Sequence, residues 1–412
     1  MKSLTRNAVL FALLFGCSAA AARAQSVQEI KPAPNPPDAK STVEIFGFVM
    51  LDLGHDFTQI DPNWIDTMRV SRLPKVADEF GLANRTFASA RQTRFGVRSA
   101  TPTDAGKLST LFEFNMLGVG VDAGQTTLRL RHAWGELGAV GAGQTWSVFT
   151  DPDSAPKAIE PMGPTGLAWY RNIQVRWTPI SGASTVQLAI ERPGGSADDG
   201  IYAERIEVQD ITPRFPFPDV TAAYKRTTSW GHVRVAGLLR RINWDDMRED
   251  AFDLSGHATG WGLNLSTVAK PSQRDVIRAA VAYGEGIQNY LGDAPVDIGI
   301  INNFANPVTP IVGTAVPVIA FSGFLEHTWS DRFNTTFGYS LQDNDNTEAQ
   351  SPTAFHRGHY ALGNLQYQPN AAFSATGEVQ WGRRVNFSDG FQSDGLIAHF
   401  AIRYNFSWQL GG

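Results

Sequence analysis

The segment Thr127-Leu128-Arg129-Leu130-Arg131-His132-Ala133-Trp134 alternates, with the arginines on one parity and Leu128, Leu130 and Trp134 on the other. Successive side chains of a strand point to opposite faces, so this spacing predicts a strand with one charged and one apolar side. The pattern recurs along the chain. Within 86–99, Phe87, Thr93, Phe95 and Val97 oppose Gln92, Arg94, Gly96 and Arg98, and within 107–118, Leu108, Phe112, Phe114 and Met116 oppose Ser109, Glu113 and Asn115. Further on, Ile173, Val175 and Trp177 oppose Gln174 and Arg176, and Val233, Val235 and Leu239 oppose His232, Arg234 and Arg240.

Read this way, residues 42–53, 86–99, 107–118, 126–137, 140–150, 172–178, 185–191 and 221–228 are strands. Residues 231–243, 258–268, 275–284, 316–329, 332–341, 359–368, 372–384 and 395–406 continue the series to sixteen, an even number of the kind bacterial outer-membrane barrels use. Tight connections (100–106, 138–139, 180–184, 229–230, 369–371) alternate with long ones (54–85, 151–171, 192–220, 285–315, 342–358, 385–394). An all-β fold is expected: a transmembrane antiparallel β-barrel with short periplasmic turns and long external loops. A soluble sandwich would alternate too. Trp134, Trp146, Trp177, Trp261, Trp329 and Trp381 near strand ends favour the membrane barrel, where they would form the two interfacial girdles. No apolar run approaches the ~20 residues of a membrane helix.

The amino terminus stands apart. Lys2 and Arg6 precede the apolar run from Ala8 to Phe15, and Ala22-Arg23-Ala24 reads as a cleavage site, so 1–24 is expected to be a secretory signal. A competing cut before Cys17 would leave a lipidated cysteine, but Phe15 is bulky where such signals place a small residue. Cleavage after Ala24 removes the only cysteine, hence any disulfide, together with three cations and no acid, moving the net charge from −5 to −8. That balance excludes nucleic acid as a natural partner. Residues 25–41, with Pro32, Pro34, Pro36 and Pro37, read as an extended tether, and 42–406 as one barrel domain. The last strand ends its apolar parity on the aromatic Phe406, as outer-membrane barrels do at their insertion signal, and 407–412 is an added tail.

Four motifs together resemble the DcaP-like family of trimeric outer-membrane porins. They are Ser89-Ala90-Arg91-Gln92-Thr93-Arg94-Phe95-Gly96 followed by Thr101-Pro102-Thr103, and Leu130-Arg131-His132-Ala133-Trp134-Gly135-Glu136-Leu137 with Gly143-Gln144-Thr145-Trp146-Ser147. The others are Gly231-His232-Val233-Arg234-Val235-Ala236-Gly237-Leu238-Leu239-Arg240 and Tyr283-Gly284-Glu285-Gly286-Ile287. The resemblance implies a sixteen-stranded barrel in the Gram-negative outer membrane, assembled as a homotrimer, that passes small anionic solutes such as dicarboxylates. Some members carry an amino-terminal coiled coil. Residues 25–41 lack heptads, and that feature is not carried over.

In such a barrel Arg94, Arg98, Arg129, Arg131, Arg176, Arg234 and Arg240 take the inward parity, because an arginine facing lipid near the midplane costs about 2 to 4 kcal/mol. Lining the pore, they attract anions. The connection 151–171 follows the fifth strand, where resembling porins fold a loop into the lumen, and its Asp151, Asp153 and Glu160 would oppose the arginines and set up a transverse field. Two blander readings remain open. Pro152, Pro156, Pro161 and Pro164 would then only stiffen an external turn, and arginines paired with Glu113, Glu378 or loop acids would only brace the wall.

Enzyme signatures are missing: no H-E-x-x-H, G-x-S-x-G or P-loop pattern occurs. The pair His356/His359 has metal-like spacing, yet in a loop or strand edge it is better read as solvated, so neither metal nor cofactor is expected. The expected function is an outer-membrane diffusion porin in contact with outer-membrane lipid. The competing functions are a porin for neutral sugars and a plugged barrel used for binding or adhesion.

Overall fold

The computed structural model describes residues 40–410. The strands are β1 (Thr42–Asp56), β2 (Arg85–Ser89), β3 (Arg94–Thr103), β4 (Gly106–Leu117), β5 (Thr126–Leu137), β6 (Val140–Trp146), β7 (Arg171–Ile180) and β8 (Ser184–Glu191). They continue as β9 (Ile211–Arg214), β10 (Asp219–Thr228), β11 (Gly231–Asp246), β12 (Gly256–Ala269), β13 (Asp275–Glu285), β14 (Ile298–Asn302) and β15 (Ile311–Ala315). The last are β16 (Pro317–Thr328), β17 (Phe333–Asn344), β18 (Phe355–Asn370), β19 (Phe373–Asn386) and β20 (Gln392–Leu410). All but the β14–β15 hairpin join one antiparallel sheet of eighteen segments, closed by β1 against β20. Because β2 and β3 share one place beside β1, and β9 and β10 one place beside β11, the wall has sixteen positions. No helix among the described residues is long and apolar enough to cross a membrane.

The alternation read from the sequence orients the wall: Leu128, Val175, Trp177, Val235, Leu239 and Trp329 are exposed on the outside. Two departures have local causes. Residues 90–93 interrupt the strand expected over 86–99, and Arg91 turns inward there to pair with Asp66 at 2.6 Å. Phe87 therefore lies on the opposite side from Phe95, buried against His399 and above Gly54. At the other end, β20 runs past Phe406, pairing Ser407, Trp408, Gln409 and Leu410 with Phe46, Ile45, Glu44 and Val43. The tail expected after Phe406 is strand as far as Leu410.

The core lies between the inner wall and the segments folded against it. Residues 147–170, between β6 and β7, pack Val148, Phe149 and Ala168 on the inward Ala189, Ala223, Ala236, Ala282 and Ala320. Small inward side chains leave room for a second layer of backbone. Residues 57–84 do the same elsewhere, with Met68, Val70 and Leu73 lying over Gly358, Gly382 and Gly395 on three neighbouring strands, where a Cβ would meet them at 2.8 to 3.1 Å. That connection was expected only as an external loop. Tight turns close the other end, one at Gly138, whose φ of +60° favours glycine.

Candidate functional site

Arginines from separate strands converge beside Glu113 of β4. Arg131 Nε donates to Glu113 Oε1 at 2.5 Å, and Arg94 Nη1 lies 3.6 Å from the same oxygen. The Phe48 ring of β1 faces both Arg94, at 5.0 Å, and Arg403 of β20, at 3.7 Å, contacts that suit a guanidinium over an aromatic face. Arg129 Nε donates to Asn115 Oδ1 at 3.0 Å, and Arg171 lies over Trp146 at 4.3 Å. Among the described residues, Arg129, Arg171 and Arg403 have no carboxylate at ion-pair distance, whereas Glu113 acts electrostatically on Arg94, Arg131, Arg171 and Arg403. Arg129 Nη2 and Arg171 Nη1 are buried without an acceptor among the described residues.

A β-bulge builds this group. Glu113 pairs with His132 and Phe114 with Leu130, leaving Arg131 as the extra residue of β5. Gln144 Nε2 donates to the carbonyls of Leu130, at 3.1 Å, and Arg131, at 3.4 Å, satisfying groups that the bulge removes from the ladder. The bulge also reverses the parity beyond it. Trp134, expected outside with the leucines, is buried, donates from Nε1 to Glu136 and lies beneath Arg176 at 4.5 Å. Trp146 likewise packs against Trp169, His132 and Arg171.

The other expected arginines are engaged elsewhere. Arg98 pairs with Glu44 at 2.6 Å near the periplasmic end, and Arg176 with Glu136 at 3.4 Å. Arg234 donates to the Val148 carbonyl and so holds residues 147–170 to β11. Arg240, 3% exposed, lies between Asp219 at 3.3 Å and Asp297 at 3.2 Å and donates to the Gly286 carbonyl. These two are braces.

The acids of 151–171 do not face the arginines as a row. Asp151 accepts from His232 Nε2 at 2.9 Å and Ser266 Oγ at 2.6 Å on the wall opposite. Burial raises its carboxyl, but those hydrogen bonds and the Arg234 charge outweigh it and hold it down to about 2. Glu160 is fully buried. Burial pushes its carboxyl up to about 8, against the Met162 amide and the Arg69 charge, with Glu378 and Asp66 nearby. Asp153 is exposed and meets Lys225 at 2.7 Å, so the transverse field expected of three acids rests on Asp153 with its cation beside it. Glu378 holds the tip of the segment, accepting from the Ile159 amide at 3.1 Å and from Asn364 and Gln380. Asp151, Asp153 and His232 bring ligand-type atoms within 4.8 Å of one another. Lys225, Ser266 and the imidazole already satisfy them.

The sequence profile of the DcaP outer membrane protein family matches residues 34–291, more than half of the chain. The chain belongs to the DcaP outer membrane protein family. Its fold is similar to that of the outer membrane channel DcaP of Acinetobacter baumannii, with a TM-score of 0.75 at 21% identity over 91% of this chain and 100% of that one. OmpT of Vibrio cholerae, solved in a trimer form, has a TM-score of 0.54 at 11% identity, and an anion-selective porin from Comamonas acidovorans 0.53 at 9%. Both comparisons cover 89% of this chain and the whole of the other. No curated protein matches the chain. This DcaP-family chain is an outer membrane protein, and its fold is that of outer-membrane channels and porins.

Two arginines of the group beside Glu113 in this DcaP-family chain were not among the expected ones. Arg403 sits on the polar parity of the last strand, between His399 and Asn405, a signal the sequence does carry. Arg171 shares the parity of Ile173 and Val175 and would have been assigned to lipid. It nevertheless lies within electrostatic reach of Arg94, Arg129, Arg131 and Glu113, at the level where β5 and β6 cease to pair beyond Gln144.

Proposed function

We propose that this porin passes small anionic solutes, dicarboxylates among them, along the arginines gathered between β20 and β7. The observation that carries this reading is an excess of charge: Arg94, Arg131, Arg171 and Arg403 share one wall carboxylate, Glu113, and Arg129 beside them is held by the neutral Asn115. Guanidinium keeps its charge at any physiological pH and meets a carboxylate with a planar donor fork. Several moderate contacts along a path let a solute pass from one to the next, where one deep site would retain it.

Reversal potentials in planar bilayers under a salt gradient test the proposal. The expected result is anion preference that falls when Arg129→Ala and Arg131→Ala are combined. Cation preference, or selectivity indifferent to both substitutions, overturns it. Inserted protein without conductance supports a plugged barrel instead, and liposomes that swell faster with a sugar than with a dicarboxylate of similar size support a sugar porin.

The outer surface supports a homotrimer. The lipid-side positions of β1 and β3 to β5 carry Val49, Leu51, Phe95, Phe112, Leu128, Ala133 and Gly135 but neither Trp nor Tyr. Those of β17 to β20 carry Tyr339, Tyr367, Trp381, Tyr404 and Trp408. A face without interfacial aromatics, with small residues in it, suits a neighbouring copy better than lipid. A native mass of three subunits in detergent is the expected result.

A further inference from the structure

On the lipid-facing side, the external ends of β17 to β20 carry charge where the rest of their outward parity is apolar or aromatic. Asp343, Arg357, Arg383 and Asp394 stand in neighbouring register, with Asp343 opposite Arg357 and Arg383 opposite Asp394. His359 lies directly opposite Arg383 and two residues from Arg357. Toward the membrane centre from these charges come Tyr339 and Trp381 with Ala361 between them, then Val379 and Phe400. Trp and Tyr mark the interfacial girdle, so the two guanidiniums sit at the depth where hydrocarbon gives way to headgroups.

The charges are held in place. Asp394 takes the Nε and Nη2 edge of Arg383 at 2.8 and 2.9 Å, and Asp343 takes Nε of Arg357 at 2.9 Å and its Nη2 at 2.7 Å. Each guanidinium keeps its Nη1 group, for which the described residues offer no acceptor. Trp381 Nε1 donates to Asp394 at 3.1 Å, and its ring lies 5.6 Å beneath Arg383. The Tyr339 hydroxyl bonds His359 Nδ1 at 2.5 Å, so Nε2 is the ring nitrogen left for another partner. The arginine side chains are 42% and 38% exposed, so a ligand can reach them. Two oriented guanidinium edges and an imidazole nitrogen on adjacent strands match the several oxygens of one phosphate, and their carboxylate partners fix the forks while leaving these donors free.

We propose that Arg357, His359 and Arg383 form a binding site on the outside of the barrel for the phosphate headgroup of a surrounding outer-leaflet lipid. The acyl chains of that lipid lie along Ala361, Val379 and Phe400, and the aromatic pair Tyr339 and Trp381 sits at the junction. The site takes no part in the solute path, whose arginines are on the other face of the wall.

The test is lipid retention, read by native mass spectrometry of whole protein from nanodiscs of phosphatidylcholine containing phosphorylated lipid A or lipid A stripped of phosphate. The wild-type protein is expected to retain the phosphorylated lipid, and the stripped lipid to be retained roughly tenfold less, the worth of one charge-assisted hydrogen bond. The double variant Arg357→Ala, Arg383→Ala is expected to lose the preference, and Arg357→Lys, Arg383→Lys to keep part of it. Heat-modified mobility on gels confirms that each variant is folded. Equal retention of both lipids by the wild-type protein overturns the proposal. So does a double variant that keeps the phosphate preference, or one that changes subunit number with lipid retention unaltered, which would make this face a contact between copies.

Discussion

Asp293 Oδ2 accepts the Ser71 amide at 2.7 Å, tying the segment 57–84 to the connection after β13. The same oxygen accepts from Thr165 Oγ1 at 3.2 Å, and Arg69 lies 3.7 Å from Oδ1. One carboxylate thus joins three segments that arise from different parts of the wall. Replacing it by alanine leaves the Arg69 charge and the Ser71 amide without this partner, at a cost of about 1 to 3 kcal/mol for the buried groups. Asp293→Ala is expected to keep the barrel but loosen the inserted segments. Larger open-channel current noise and faster proteolysis within 57–84, with gel mobility unchanged, are the measurements.

Glu160 makes the docking of 147–170 sensitive to pH. Its carboxyl is raised from 4.5 to about 8, so across that interval the docked segment holds a proton that the undocked segment has released. Stability falls with pH wherever the folded state binds more protons, so docking weakens as pH rises from about 4.5 to about 8 and then levels off. The acids nearby, Glu378 on β19 and Asp66 in the first inserted segment, act in the same direction, while Arg69 opposes them. Glu160→Gln should flatten this part of the profile. Thermal midpoints of wild type and variant through that range decide it, and parallel slopes would assign the pH dependence to other groups.

Period-two alternation is a local signal that a sequence carries openly, which is why the wall, its facing and most of its turns were legible. The bulge at Arg131 was not. Thr127 to Arg131 keep the alternation, and although His132 and Ala133 depart from it, the reversal itself exists only because Glu113 pairs with His132 while Phe114 pairs with Leu130. The fold of 57–84 was hidden for a related reason: it depends on Gly358, Gly382 and Gly395, three glycines on three strands that become one groove only when the barrel closes. Among the candidate site residues, parity placed Arg94, Arg129 and Arg131 together with Glu113. Parity says nothing of partners, so Arg240 and Asp151, of the expected types, are tied to Asp297 and His232 instead.

Glu113 sets how much of the arginine charge is free. Its carboxylate holds Arg131 at 2.5 Å and Arg94 at 3.6 Å, and no other acid pairs with either among the described residues. Glu113→Gln keeps the shape and a hydrogen-bond acceptor for Arg131 while adding one unit of positive charge to the path. In a wet lumen, a unit charge about 5 Å from a passing anion changes its energy by about 0.8 kcal/mol, a factor of about four. The same charge raises the energy of a cation by as much, so the anion-to-cation permeability ratio should rise by about the square of that factor, roughly sixteenfold, and the increase should shrink at high salt as screening shortens the reach of the charge. Glu113→Lys should raise the ratio further and also lower thermal stability, because three cations then crowd one stretch of wall. A ratio that falls in Glu113→Gln would mean that Glu113 acts by positioning Arg131, and Arg131→Ala should then fall by the same amount.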